Sequence, residues 1–367
     1  MISEELKNDL KIKWDRMRDG MAKMGMDACL LTVDVNLYYT TGQIYSGYFY
    51  LPVDGEPWFL IKRPNGLSGH QVEYIRKPED IPTLFAERGI KMPKRLLLEA
   101  DELTYNEYIR LQKVFQPEEA GNATAFMRNL RRVKTPWEIG QFRIAARKHE
   151  ATYSEIPECF RPGMTDLEFQ YEIEKRMRKN GSIGLFRAFG ANMDIYMGSI
   201  LAGENAETPS PFDFALGGGG IDASCPLGAN GTLLKEGTAI MVDMAGNYTA
   251  YMTDMTRVFS VGHLTGLAYR AHQTALLIES EIENIARPGT PCAELYEIAA
   301  KITESNIRNY TIFMHDGLLF AYYEYVGDDF DADMAKMAEH PKTQEWWAEC
   351  KPCQQPLETR APGEWWA

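Results

Sequence analysis

Two aspartates eleven residues apart, Asp243 and Asp254, stand out in the stretch MVDMAGNYTAYMTDMTR, residues 241 to 257, because their neighbours read as strand. TAIMVDM and MTDMTRVFSV are rich in β-branched and apolar residues, and AGNYTAY between them offers Gly246 and Asn247 for a turn. The pattern predicts a β-hairpin. If it closes near Tyr248 and Thr249, positions 243 and 254 lie directly opposite on one face, with Cβ atoms about 4.5 to 5.5 Å apart. Carboxylates that close repel, and the remedies are solvent, a shared proton or a cation between them. The apolar flanks argue against a wholly solvated hairpin. A divalent cation is the sharpest reading, and oxygen ligation would suit Mn²⁺, Co²⁺, Zn²⁺ or Fe²⁺ in a hydrolytic site. The rival is a binding or remnant protein whose aspartates are neutralised by hydrogen bonds.

Other residues with chemical potential carry less. Cys350 and Cys353 form a CKPC pair, but they follow a Trp-rich amphipathic segment where a redox pair would open a helix after a strand, and no second pair completes a zinc site. Gly217 to Gly220 allow backbone geometries closed to other residues, or form a slack loop; they precede a strand and do not open a helix as GxxxxGK[ST], which excludes a phosphate cradle. His315 lies downstream of Asp254 in IFMHDGLLF, without a glycine-flanked motif.

The elements that must position the aspartates fall into blocks. The chain opens on a charged amphipathic helix, then alternates short strands (DACLLTV, LYYTTG, GYFYLPV, EPWFLIK, RLLLEA) with helices near PEDIPTLFAERG and from Thr104 to Phe115. This is the pattern of an α/β or α+β unit of about 125 residues. A boundary follows, where Thr135 caps a helix opened by Pro136, with Glu138 in its first turn and Ile139, Phe142, Ile144 and Ala145 near helical spacing. Thr165 with Glu168 forms a capping box for the next helix, and Gly181 ends it. The echo of RPGMTDLEF in RPGTPCAEL suggests internal duplication. The last stretch reads as two strands joined at His315-Asp316-Gly317, a helix carrying Met334, Met337 and Ala338, and a tryptophan-rich end.

Composition bounds the function. With 367 residues, 45% hydrophobic and 25% charged, the chain suits two folded domains with an appendage. A formal net charge of −13 argues against nucleic acid or anionic membrane as partner. The six scattered cysteines and the absence of an export signal or an apolar span point to the cytoplasm.

The segment LKEGTAIMVDMAGNYTAYMTDMTRVFSVG resembles the metal-binding hairpin of the M24 metallopeptidase superfamily, which includes creatinase, aminopeptidase P and methionine aminopeptidase. Its pattern is Asp-x-Gly followed by Gly-Tyr-x-Ser-Asp-x-Thr-Arg; Asp243 and Asp254 fall on the two aspartate ligands, and Thr256-Arg257 on the adjoining pair. VKTPWEIGQFRIAA and RPGMTDLEF are similar to the superfamily's Lys-x-Pro-x-Glu-Ile helix and Pro-Gly-x-Thr-Glu turn. The resemblance covers about residues 10 to 303. It implies a creatinase-type N-terminal domain (1–125), then the first part of a pita-bread domain (126–304), and hydrolysis of a small peptide by metal-activated water. The superfamily's site also takes a histidine in His-Gly-x-Gly and two later glutamates, none of which can be placed here; the upstream Pro-His pair is replaced by Cys225-Pro226-Leu227-Gly228. The expectation is an incomplete metal set with little peptidase activity.

Residues 305 to 367 resemble L-rhamnose mutarotase, a small ferredoxin-like sugar epimerase, with Trp346-Trp347 on that family's substrate-binding Trp-Trp pair. The family's first strand and helix have no counterpart here, which leaves half a mutarotase or an aromatic cluster filling a small core. The fold expectation is therefore α+β: a creatinase-type α/β domain, a truncated pita-bread domain, and a partial ferredoxin-like tail whose strands are placed to patch part of an exposed sheet edge. Relatives of both parts imply a homodimer. Peptide hydrolysis is the leading activity and sugar anomer exchange its alternative.

Overall fold

The computed structural model describes residues 3–186, 196–211, 217–297, 307–315, 318–325, 328–339, 344 and 348. The first unit is a mixed six-stranded sheet in the order β4-β3-β2-β1-β5-β6, built from β1 (Ala28–Leu31), β2 (Ser46–Pro52), β3 (Trp58–Arg63), β4 (Val72–Tyr74), β5 (Arg95–Leu98) and β6 (Glu119–Asn122). Its inner strand ACLL, and the run Leu96 to Leu98 of RLLL, are continuously apolar because both faces are covered. Cys29, Leu31, Phe49, Leu51 and Leu97 pack on one side with Met17 and Met21 of α1 (Glu4–Met24) and Met127 of α5 (Thr124–Arg132). Leu30, Tyr50, Leu96 and Leu98 pack on the other with Phe85 of α3 (Ile81–Glu87) and with Leu111 and Phe115 of α4 (Tyr105–Phe115).

One expected strand is a helix. Residues 37 to 42, read above as extended because of their aromatic and β-branched content, belong to α2 (Asp34–Thr41) and its cap Gly42. The reason is tertiary. The buried carboxylate of Glu99, just after β5, accepts from Thr32 N (2.6 Å), Val33 N (2.9 Å) and Asn36 Nδ2 (2.5 Å), satisfying the helix start from 63 residues or more away. Thr40 and Thr41 turn their hydroxyls back onto Asn36 O and Leu37 O, both at 2.7 Å.

The second unit is an antiparallel three-stranded sheet, β7 (Gly198–Ala202), β8 (Ala239–Gly246) and β9 (Thr253–Ser260), in that order. One face packs on α6 (Pro136–Ser154) and α7 (Asp166–Lys179): Ile200, Ala202, Ile240, Val242 and Met244 meet Tyr153, Phe169, Ile173 and Met177. The expected capping box of Thr165 with Glu168 forms, and the expected Thr135 cap forms as part of a second one, with Glu138. The expected apolar face of α6 does not. Ile139 and Ile144 are exposed, while Glu138, Ala145, His149, Thr152 and Tyr153 are buried, so this helix meets its neighbours largely through polar groups.

Beyond the sheet, α8 (Gly266–Ile285) has no buried residue, and Leu267 on it is 62% exposed. β10 (Ile307–His315) and β11 (Leu318–Tyr325) pair antiparallel, with His315 opposite Leu318, as the expected hairpin requires. Among the described residues they form a sheet of their own and do not pair with β7 or β9, so the expected patching of that edge is not seen there. Met334, Met337 and Ala338 lie on α9 (Phe330–Glu339), as expected. Trp346, Trp347, Cys350 and Cys353 lie outside the described residues, as do Asp316 and Gly317.

Candidate metal centre

The hairpin exists, but its register differs from the expected one by two residues. Asp243 stands opposite Thr256 and Asp254 opposite Ala245, with Gly246 and Thr253 closing the ladder around a six-residue loop, 247–252. The two aspartates are therefore not directly opposed. They remain on one face, as diagonal neighbours with a typical Cβ separation of about 7 to 8 Å. That wider spacing leaves room for an ion between the carboxylates, where the closer one would have forced them into contact.

The face they occupy is the one turned away from α6 and α7. Since side chains alternate, Val242 and Met244 enter the core while Asp243 points the other way, in one row with Ser199 of β7 and Thr256 of β9. Thr256 Oγ1 donates to Asp243 Oδ1 at 2.6 Å. Asp243 is half-buried and Asp254 exposed. Burial holds the Asp243 carboxyl above the usual aspartate range, the neighbouring Asp254 charge adds to that, and the Thr256 hydrogen bond opposes it. A carboxylate that is partly desolvated and faces a like charge is one that a cation would stabilise, and both groups offer oxygen; the residues present fit a divalent ion. Among the described residues, no group of three or more His, Cys, Asp or Glu converges on one point.

Two residues beneath the pair escaped the sequence reading. The Tyr153 hydroxyl reaches through the sheet's core face to touch both aspartate-bearing strands: it accepts from Met244 N (3.0 Å), lies 3.1 Å from Val242 O, and bonds Met255 O. Burial pushes this phenol well above its ordinary pKa. His149, one helical turn earlier, is fully buried; its Nδ1 lies 3.0 Å from Thr253 Oγ1, and its Nε2 has no partner among the described residues. Burial lowers His149 to about 4, with the Asp254 charge pulling up and Arg257 pulling down. The signal for both was the spacing of Glu138, Ala145, His149 and Thr152 along one face of α6, which polar letters disguised.

The glycine run is not slack. Gly218 has φ +91 and a Cβ there would collide with Gly228 O, while Gly228 N donates to Gly217 O at 2.8 Å and Asn205 Nδ2 to Gly228 O at 2.9 Å. This brings the Cys225-Pro226-Leu227-Gly228 turn against Ser199, the neighbour of Asp243 on β7.

Comparison with known proteins gives three family matches along the chain. Residues 13–133 match the creatinase/prolidase N-terminal domain, 140–327 metallopeptidase family M24, and 294–367 L-rhamnose mutarotase. The uncharacterized peptidase YqhT of Bacillus subtilis (strain 168) is 23% identical over 257 residues, which span 68% of this chain and 65% of YqhT. The uncharacterized peptidase SAUSA300_1654 of Staphylococcus aureus (strain USA300) is also 23% identical, over 79% of this chain and 78% of that protein. Among solved structures, an Xaa-Pro dipeptidase from Bacillus anthracis has a TM-score of 0.63 at 19% identity, covering 80% of this chain and 77% of its own. An X-Pro aminopeptidase from Thermotoga maritima MSB8 has a TM-score of 0.61 at 19% identity, covering 76% and 75%. These likenesses establish the fold as mixed α and β of the Xaa-Pro dipeptidase type. With the M24 model spanning just over half of its 367 residues, this chain belongs to metallopeptidase family M24.

Proposed function

We propose that the chain is a peptidase-type hydrolase of the Xaa-Pro aminopeptidase and dipeptidase class, in which Asp243 and Asp254 hold a divalent cation, one of Mn²⁺, Co²⁺, Zn²⁺ or Fe²⁺. The observation that carries this reading is the placement of two carboxylates on one face of the β7-β8-β9 sheet, the face turned away from α6 and α7, close enough for Asp254 to raise the proton affinity of Asp243. A bound cation supplies a polarised carbonyl and an acidified water. The residues' own tasks are simpler. Asp243, oriented by Thr256, and Asp254 bind and orient, and the Tyr153 hydroxyl keeps their strands in register. The substrate is a small peptide. Two carboxylates leave most of a coordination sphere to be filled by groups not placed here, so turnover is slow. Metal analysis of the purified chain tests this: about one equivalent or more of transition metal, lost in Asp243→Ala, is expected, together with weak cleavage of Xaa-Pro dipeptides. Less than one equivalent, unchanged by that substitution, would favour a remnant.

The organisation proposed with it is a creatinase-type unit over 1–125, part of a pita-bread domain over 126–304, and a mutarotase-like segment over 305–367, in a homodimeric cytoplasmic protein. The match of residues 294–367 to L-rhamnose mutarotase supports a second reading, sugar anomer exchange with Trp346 and Trp347 against the sugar face. NMR saturation transfer between rhamnose anomers decides it: exchange lost in Trp346→Ala supports it, and no exchange above buffer removes it.

A further inference from the structure

The two sheet units meet at a buried knot of charge. Lys13, from α1 of the six-stranded unit, is 1% exposed. Its Nζ lies 2.7 Å from Asp9 Oδ2 on the preceding turn and 3.4 Å from Glu138 Oε1 in the first turn of α6. It also lies 3.4 Å from the Tyr251 hydroxyl, in the loop that joins β8 to β9. The ammonium sits over the Tyr39 ring, 4.5 Å from its centroid, with the Trp137 ring at 5.6 Å. The Tyr251 hydroxyl donates to Glu138 Oε1 at 3.1 Å, while Glu138 Oε2 accepts from Thr135 N at 2.8 Å and closes the α6 cap. The Tyr251 ring is boxed by Phe142, Trp137 and Tyr38, at centroid distances of 5.2, 5.9 and 6.3 Å.

So much buried charge is an expensive way to gain stability, because desolvation offsets most of the attraction; its better-attested use is to specify one arrangement over its neighbours. An arrangement here needs specifying. A two-residue turn fixes the register of a hairpin, but the β8-β9 loop has six residues; Asn247 and Tyr248 tie its first half to Leu185 O and to the Thr152 hydroxyl, and in its second half the Thr249 hydroxyl and the Tyr251 backbone bond each other. Tyr251 is the loop residue that reaches both other segments, and it stands three residues before Asp254.

We propose that Lys13 and Glu138 clamp Tyr251 so that the six-stranded unit sets the offset between Asp243 and Asp254: Tyr251, Glu138 and Lys13 are positioning residues for the carboxylate pair. This deepens the cation-binding reading and rests on it for its functional consequence. The structural half stands separately, because the clamp acts on the hairpin whether or not an ion binds.

The test uses the full chain with Tyr251→Phe, which deletes one oxygen and keeps the ring contacts, read by amide hydrogen exchange and by Mn²⁺ calorimetry. Exchange over residues 247–256 is expected to rise about tenfold with β1 to β6 unchanged, and Mn²⁺ affinity to fall fivefold or more. Glu138→Gln, which still offers the phenol an acceptor, retains most of the wild-type behaviour, whereas Glu138→Leu reproduces Tyr251→Phe. Unchanged exchange in the hairpin, or an equal rise throughout the six-stranded sheet, overturns the clamp. If wild-type protein takes up no Mn²⁺, the cation reading fails, and the exchange pattern alone still upholds or overturns the clamp.

Discussion

The two sheets of this molecule are built on opposite economies of surface. In the six-stranded sheet both faces are covered, and strands such as Ala28–Leu31 are buried at every position. In the three-stranded sheet the face toward α6 and α7 is apolar, and the other is mixed: Ser199, Asp243, Asp254 and Thr256 share it with Leu201, Met241, Ala245 and Val258, its β7 side buried and its β9 side exposed. Strands covered on both sides have no position left for an ionised group that must meet a ligand, whereas a sheet whose second face is covered only on its β7 side leaves Asp254 and Thr256 of β9 exposed beside a half-buried Asp243. The difference teaches where chemistry can reside: the first unit supplies rigidity, and the second supplies a mixed face held in register from beneath.

Core truncation draws the contrast most sharply. Phe49→Ala, buried between β1, β3 and α1, should cost about 3 to 5 kcal/mol by urea unfolding, and so should Phe85→Ala on the opposite face of that sheet. A loss below about 1 kcal/mol at either site would mean that the face is not packed.

The next effect is a pH dependence. His149 is neutral in the fold and lowered to about 4, against 6.5 for the free side chain. Between pH 6.5 and 4 the unfolded chain binds a proton that the folded chain refuses, so stability falls as pH falls through that window and is constant above it. At 1.36 kcal/mol per unit, and allowing for partial solvent screening, the loss is of the order of 2 kcal/mol. In His149→Gln this slope should vanish from thermal melts taken between pH 7 and 4; a persisting slope would assign it to other groups.

Smaller still is the cost of the carboxylate pair itself. In chelator, Asp243→Asn removes a half-buried charge facing another, and should raise the melting temperature slightly. With Mn²⁺ present the order should reverse, because the wild type alone gains from binding. Stabilisation of the variant under both conditions would separate the pair from any cation. Last, Val258→Ala on the exposed end of β9 should shift stability by no more than about 0.5 kcal/mol, which checks that this face is open.

What was legible in the letters was what short-range physics decides. The cap at Thr135 and the capping box at Thr165 need only four residues each, and both formed. The hairpin and the shared face of Asp243 and Asp254 follow from a period of two, and survived even a register error of two residues. What was not legible depended on distant partners. α2 looked like strand because the backbone entering it, at Thr32 and Val33, is held by Glu99, far along the chain. The register was misjudged because Tyr251 is tied to Lys13, 238 residues away, which permits a longer loop than a turn motif suggests. His149 and Tyr153 were missed because a buried helix face made of histidine, threonine and tyrosine looks like a solvated one until its neighbours are known.

The central claim, that the mixed face of the second sheet exists to hold a cation between Asp243 and Asp254, is tested most directly by an anomalous-scattering map of crystals soaked in Mn²⁺. The account predicts a peak about 2.0 to 2.3 Å from carboxylate oxygens of both residues. Carboxylates turned to opposite sides of the sheet, or bonded to backbone amides with no peak beside them, would contradict it.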